Sequence, residues 1–435
     1  MPGSTRICAV EPVASIAHRD LLFLTPAHPV PRAASHTEPA AIGHVTTLAG
    51  SSQFLWSAVE QSGGCSVQDL ENKVMDRFAI DDPTMVKSTI RGWVDALVEA
   101  RLLRVSSGQV VSRESACTSS AIDADDLPVG ETLTNHEWGL MAHGLAHGIA
   151  ASLGIRAFSI KGPVLEHYGL RPPRASADAD IWIDPVHYGA FTAALTSLGW
   201  IKRFDRGERQ ARVIPWHSFS YYHPEWPIDI DVHWWFPGIG IDREEAFNQI
   251  WENCQATTFS GVRARIPSKV DAAVIQMLHC VKDRESAVRR AELVHVVSLV
   301  GKWSTDDRAC LVSHLVALRA CDPLRPVLME EGVELPAQWT PAEQRRWDVG
   351  VQCKEGSSTL AILYELEHVS WRSKPGVVMN ALWPSDADVI LTESTPDVSR
   401  AGMSRSEILV ARARRLVRGV KELPEALHVL LRAHN

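Results

Sequence analysis

The chain has 435 residues, 45% of them apolar and 22% charged, with a formal net charge of −8. That length predicts two or three domains, the acidic balance argues against broad binding to nucleic acid or anionic membrane, and the lack of any uncharged apolar run of about 18 residues argues against a spanning helix. Eight cysteines without a CxxC pair, behind an N-terminus with no basic-then-apolar export signal, read as reduced cytoplasmic thiols rather than a disulfide framework or zinc site.

Residues 1–39 are rich in Pro, Ala and His and read as a partly ordered segment, with Asp20-Leu-Leu-Phe-Leu-Thr as its strand candidate. Residues 40–106 read as a compact unit. A strand over 44–48 precedes Ser51, which can cap a helix carrying Phe54, Leu55, Trp56 and Val59; Gly63-Gly64 ends it. Ser66 caps a second helix with Leu70, Val74 and Phe78 at spacing four. Asp82-Pro83 opens a third helix carrying Ile90, Trp93, Val94 and Leu97, and 101–105 closes as a strand.

This is a winged-helix-like arrangement. The succession of cap, aliphatic-Trp helix, Gly, Ser-Val-x-x-Leu helix and Leu-Leu-Arg-Val resembles the PqqD-like recognition elements for ribosomally made, post-translationally modified peptides. The resemblance implies a precursor (leader) peptide as partner and supplies no catalytic residue. The competing reading is a generic winged helix, including a DNA-binding one; Lys87, Arg91 and Arg101 are few cations for tracking phosphates.

Residues 107–133, polar and poor in large apolar groups, read as a linker. A central unit over 134–267 opens with a helix over about 135–153, followed by three short runs. The first, 158–160, is strand-like and leads into Lys161-Gly162-Pro163. Gly there lets backbone amides approach a phosphate, a helix start favours an anion, and Lys161 can neutralise a triphosphate oxygen; alone it is a weak signal, and the competing reading is an ordinary strand-to-helix turn. The second run is Asp178-Ala-Asp180-Ile-Trp-Ile. Its two carboxylates share a strand face and repel; Mg²⁺ or a salt bridge to Arg171 or Arg174 would relieve them. The third alternates Ile228, Ile230 and Val232 with Asp229, Asp231 and His233, a period-two strand. Two acids and an imidazole on one face fit a metal or proton-transfer site. A carboxylate from this strand could complete a three-oxygen pocket for a divalent cation carrying a nucleotide triphosphate.

His143 and His147 lie at i and i+4 of the first helix, a zinc-binding spacing. Gly144 stands where an HExxH hydrolase needs Glu, so exposed or core histidines are the favoured reading. From Ser268 the chain is mainly helical over 268–435. Ser268-Lys-Val-Asp271 is a capping-box-like start, and apolar residues recur at helical spacing over 270–300, 310–318 and 359–369. A basic amphipathic stretch closes the chain, with a break or kink expected near Pro424 and with Arg412, Arg414, Arg415, Arg418 and Lys421 expected to be solvated.

The order Lys-Gly, Arg-x-x-x-Asp-x-Asp, Asp-x-His-Trp, with Leu278-His279-Cys-Val-Lys282 following, resembles a family of uncharacterised nucleotidyltransferases (the NTP_transf_5 type) over about 135–300. The resemblance implies an α/β (α+β) chain: a mixed catalytic sheet with flanking helices between the winged-helix-like unit and the C-terminal helical region. It implies Asp178, Asp180 and Asp231 as ligands of Mg²⁺ (or Mn²⁺), with an NTP as donor. Lys161 and Gly162 would hold the triphosphate, Arg174 would contact phosphate or orient the aspartates, and His233 and Lys282 would support them. Two positions depart from the wider superfamily: Lys161-Gly162 replaces Gly-Ser, and Ala179 replaces Ile or Leu. The expected protein is a cytoplasmic, Mg-dependent nucleotidyltransferase acting on a precursor peptide. The rivals are a transferase acting on a sugar, antibiotic or RNA, and a non-catalytic peptide-binding protein with a degenerate transferase fold.

Overall fold

The computed structural model describes residues 6–9, 13–18, 21–26, 46–49, 51–62, 65–78, 83–100, 102–106, 133–172, 174, 176, 178–203, 217–283, 286–354, 358–384, 389 and 404–432. The segment read as partly ordered contributes three strands: β1 (Arg6–Ala9), β2 (Val13–His18) and β3 (Leu21–Pro26), the last over the expected position. With β4 (Thr46–Ala49), β2 and β3 form an antiparallel sheet in the order β2-β3-β4. β1 pairs antiparallel with β5 (Cys65–Ser66) and with β6 (Leu103–Ser106), about a hundred residues away. Such strands are set by their partners more than by local pattern, and the weak alternation of the segment hid them.

Between the strands lie α1 (Ser51–Gln61), α2 (Val67–Phe78) and α3 (Pro83–Glu99). Ser66 caps α2 by accepting from the Asp69 amide at 3.1 Å, and Leu55, Trp56, Leu70, Ile90 and Leu97 close one core with Leu24 and Leu102. Gly63-Gly64, Asp82, Arg101 and residues 107–132 of the expected linker lie outside the described residues.

The central unit starts with α4 (Asn135–Ser152), held by a capping box between Thr134 and Glu137. The sheet that follows has the order β7-β8-β11-β10-β9, built from β7 (Ala157–Ser159), β8 (Asp178–Ile183), β9 (Ile201–Lys202), β10 (Ser218–Tyr222) and β11 (Asp229–His233). β8 and β11 run parallel at its centre, and the other pairings are antiparallel. One face, carrying Ala179, Ile181, Ile183, Ile230 and Val232, packs against α4 and the helix Tyr188–Ser197. The opposite face carries Phe158, Ile160 and Trp182 into a second core with Phe236, Phe247 and Leu278. Trp182 and Trp200 are fully buried and Trp226 nearly so.

A hairpin of β12 (Gln255–Phe259) and β13 (Val262–Ile266) backs onto α4 and β2. The Ser15 amide donates to the Ser260 carbonyl at 2.7 Å, tying the β2 edge to the hairpin turn. This close packing accounts for Gly144: a Cβ there would lie 2.8 Å from the Phe259 carbonyl oxygen and 3.3 Å from the Ala14 Cβ.

Helices dominate the rest, as expected. The helix Lys269–Val281, capped by Ser268, lies on the Trp182 face of the sheet beside Ala287–Gly301 and Thr305–Ala317. The last helix, Arg405–Arg432, runs through Pro424 without interruption, so the expected break does not occur. Arg412 also departs from expectation: it is buried, donates to the Pro384 carbonyl at 2.8 and 3.2 Å, and lies over the Trp383 ring. Among the described residues no helix is long and apolar enough to cross a membrane.

Candidate active site

The register of the two central strands assembles the site. Asp178 sits opposite Asp229, Asp180 opposite Asp231, and Trp182 opposite His233. Because side chains two apart share a face, four carboxylates and an imidazole form a block on two adjacent strands. β7 ends beside them, with the Ile160 amide donating to the Asp180 carbonyl at 3.0 Å. The chain then turns through Lys161 (φ 60°) and Gly162 (φ 44°) into a five-residue helix, Pro163–His167, with Pro at its start.

Neither arginine weighed as a salt-bridge partner for the aspartates reaches them. Arg171 donates to Glu166 at 3.0 Å, to the Arg174 carbonyl at 3.0 Å and to Ser176 at 3.1 Å, and Arg174 donates to Glu292 at 2.7 Å. The cation at the centre is Lys161, whose Nζ lies 2.5 Å from Asp180 Oδ1. His233 Nε2 lies 2.9 Å from the same oxygen. Burial opposes the charge of Asp180, yet Lys161 and His233 outweigh it and hold the carboxyl well below its usual range. The charge of Asp180, with burial, pushes Asp178 up to about 7. Burial and then Asp180 also raise Asp231, against a hydrogen bond from Ser220. Lys161 is raised, the three aspartates outweighing the cost of its burial.

The fourth carboxylate is already matched. Asp229 takes both arms of Arg203, Nη2 to Oδ1 at 2.8 Å and Nε to Oδ2, which leaves Asp231 as the carboxylate facing Asp180. Ligand atoms of Asp180, Asp231 and His233 all lie within 4.8 Å of one another. With Asp178 adjacent and raised by the charge of Asp180 and by burial, this donor set fits a divalent cation. An imidazole among carboxylates suits Mn²⁺ as well as Mg²⁺.

Lys282, expected to bear on the site, is nearly buried at the end of its helix, with its Nζ 2.8 Å from His217 Nε2. The His217 ring lies 5.7 Å from that of His233, so Lys282 stands one residue behind the carboxylate block. His143 and His147 are core histidines, both bonded to Ser159 Oγ.

Sequence reasoning missed Arg289 and Glu292. Glu292 is buried and accepts from Arg174, from Arg289 Nη1 at 2.8 Å and from Gln276 at 3.2 Å. Burial works against its charge, but the two guanidiniums outweigh it and keep Glu292 below its usual range. Arg289 also bears electrostatically on Asp178. In sequence it is one of two arginines in an ordinary helix, and nothing local marks it.

Residues 140–329 match the family model described as uncharacterised nucleotidyltransferase. The matched span contains the Lys161–Gly162 turn, both aspartates of β8, Asp231, His233, Lys282 and Arg289, and it supports a nucleotidyl-transfer function. No curated protein matches the chain.

Proposed function

We propose that this chain is a divalent-metal-dependent nucleotidyltransferase acting on a precursor peptide bound by its N-terminal unit. The observation that carries the transferase reading is the parallel register that sets Asp231 opposite Asp180, with Lys161 and His233 converging on one Asp180 oxygen. An acidic cluster kept at the cost of raising Asp178 and Asp231 is poorly suited to a purely structural role. A divalent cation held by Asp180, Asp231 and His233, with Asp178 beside it, would supply charge neutralisation at the transferring phosphate. The chain's own residues do the rest. Lys161 supplies a cation to the triphosphate, and Arg289, which bears electrostatically on Asp178, offers a guanidinium held with that of Arg174 on the same Glu292. Asp231 takes the proton of the acceptor oxygen as that oxygen bonds to the α-phosphorus and pyrophosphate leaves.

What supports the peptide reading is the winged-helix-like succession of α1, α2 and α3 closed by β6, and one sheet edge. β2 is tied to the β12–β13 turn through Ser15, while β4 pairs only with β3 among the described residues. An extended leader could add to β4 as a further strand, and tethering would raise the local concentration of its modifiable end.

The test is to incubate the full chain with a precursor peptide encoded beside it and each NTP with Mg²⁺. Peptide mass and amide hydrogen exchange are then followed. The expected outcome is addition of a nucleoside monophosphate to the peptide together with slowed exchange at 46–49. Modification without protection there would remove the strand-addition reading. Unmodified peptide beside an efficiently modified sugar or RNA would replace the peptide acceptor.

A further inference from the structure

The inner wall of the Lys161–Gly162 turn contains polar groups that the carboxylate chemistry does not use. α4 places His143 and His147 beneath β7, and both reach one hydroxyl: His143 Nδ1 at 2.8 Å and His147 Nε2 at 3.0 Å from Ser159 Oγ. Burial lowers both rings, His143 to about 4 and His147 to about 3, so both are neutral at physiological pH. A hydroxyl carries one proton, which makes this chain directional. If His147 donates to Ser159 and Ser159 donates to His143 Nδ1, the remaining proton of His143 sits on Nε2.

That Nε2 is the informative atom. His143 has no exposed surface, and its Nε2 is buried without a hydrogen-bond partner among the described residues. A polar atom left this way is costly unless a partner arrives. It faces Gly162. A Cβ at that position would lie 3.5 Å from His143 Nε2 and 3.3 Å from Ser176 Oγ. Ser176 Oγ accepts from Arg171 Nη2 at 3.1 Å, which leaves its own proton to donate. With the proton order His147 to Ser159 to His143, the space over Gly162 is lined by two neutral donors, with the Lys161 ammonium on the preceding residue. Ser176 and Arg174 sit on the same short connection into Asp178, so donor groups and carboxylates approach this space together.

We infer that the space over Gly162 is a phosphate-oxygen subsite of the bound nucleotide, in which His143 Nε2–H and Ser176 Oγ–H are donors alongside Lys161. This rests on the nucleotidyl-transfer reading and adds two residues to it. It explains why one nitrogen of a core histidine is unmatched among the described residues, and why a second histidine and a serine stand behind it. A bound phosphate oxygen selects the order in which His147 donates to Ser159 and Ser159 to His143 Nδ1, with the His143 proton on the outward nitrogen.

The experiment is calorimetric titration of the full chain with each of the four ribonucleoside triphosphates plus Mg²⁺, comparing wild type with His143→Asn, His143→Gln and Ser176→Ala. An Asn amide overlaps the position of Nδ1, whereas a Gln amide reaches that of Nε2; both replace a buried ring by a smaller amide. His143→Asn and Ser176→Ala are each expected to weaken nucleotide binding about tenfold, as for loss of one hydrogen bond to a charged group. His143→Gln is expected to stay within about threefold of wild type. Binding of Mn²⁺ alone should be unchanged in Ser176→Ala. Wild-type nucleotide affinity in folded His143→Asn and in Ser176→Ala would overturn the inference. Equal losses in the Asn and Gln variants would also overturn it, since packing alone would then account for them. Should His143→Asn fail to fold, Ser176→Ala decides alone. Wild type binding none of the four nucleotides would overturn the transferase reading as well, which separates that failure from failure of the subsite.

Discussion

The two faces of the β8–β11 pair are made from alternate residues of the same two short strands, and they do opposite things. Toward α4, Ala179, Ile181, Ile183, Ile230 and Val232 are buried in an apolar core. On the other face, Asp178, Asp180, Asp229 and Asp231 stand in two facing rows before giving way to Trp182 and His233. The apolar face lowers the free energy of the fold by removing hydrocarbon from water. The acidic face raises it, since Asp178 is pushed up to about 7 by a neighbouring carboxylate and by burial. Burial that works against the fold marks where binding chemistry is held ready, and variants on the two faces should part company accordingly.

The largest expected effect is on turnover. Asp180→Asn or Asp231→Asn should lower nucleotidyl transfer by about a thousandfold or more, the scale of several kcal/mol of lost charge stabilisation. For Asp180→Asn a fall in thermal midpoint should accompany it, because Lys161 loses its 2.5 Å partner. Next in size, Ile230→Ala on the apolar face should cost about 2–5 kcal/mol in denaturant unfolding while leaving transfer per folded molecule near wild type.

Asp178→Asn should show the signature of the comparison: lost activity with a metal-free midpoint raised by about 2–4 °C per kcal/mol gained. The sign follows from linkage. A folded-state pKa raised from 3.8 to about 7 means that charged Asp178 costs stability, and the cost appears as pH rises between those values. The gain in Asp178→Asn should therefore be present at pH 8 and vanish below about pH 4.

The smallest effect belongs to the helical region. A hydrogen bond from His314 Nδ1 to Asp271 Oδ1 at 2.8 Å raises the His314 pKa above 6.5. That contribution is full below the unfolded value and is lost as pH rises through the folded one. Unfolding of His314→Asn against wild type should therefore show a larger deficit at pH 5.5 than at pH 9.

The same contrast governs how much could be read from sequence. The β11 alternation and the paired aspartates of β8 are local patterns, and the strands formed where they were expected. The short spacing of Asp178 and Asp180 put both on one face whatever the tertiary context. Register was not legible: only the parallel pairing shows that Asp231 meets Asp180, while Arg203, nearly thirty residues upstream, takes Asp229. The Arg289–Glu292–Arg174 group was hidden for the same reason, since Arg174 and Glu292 lie 118 residues apart. Strands β1 and β2 were missed because their stabilisation comes from distant partners. Gly144 was noted only as a missing glutamate, and its packing against Phe259 and Ala14 required the fold. The N-terminal unit showed its helices through caps and spacing, while its buried apolar groups carry no comparable chemistry to mark a partner.

The most direct test of the central claim follows the phosphorus. The full chain is incubated with Mg²⁺ and acceptor, using NTP labelled either at the α- or at the γ-phosphate, for wild type and for Asp231→Asn. The account predicts that the α-label joins the acceptor, that the γ-label leaves as pyrophosphate, and that both events cease in Asp231→Asn. Transfer of the γ-label, or undiminished α-label transfer by folded Asp231→Asn, would contradict it.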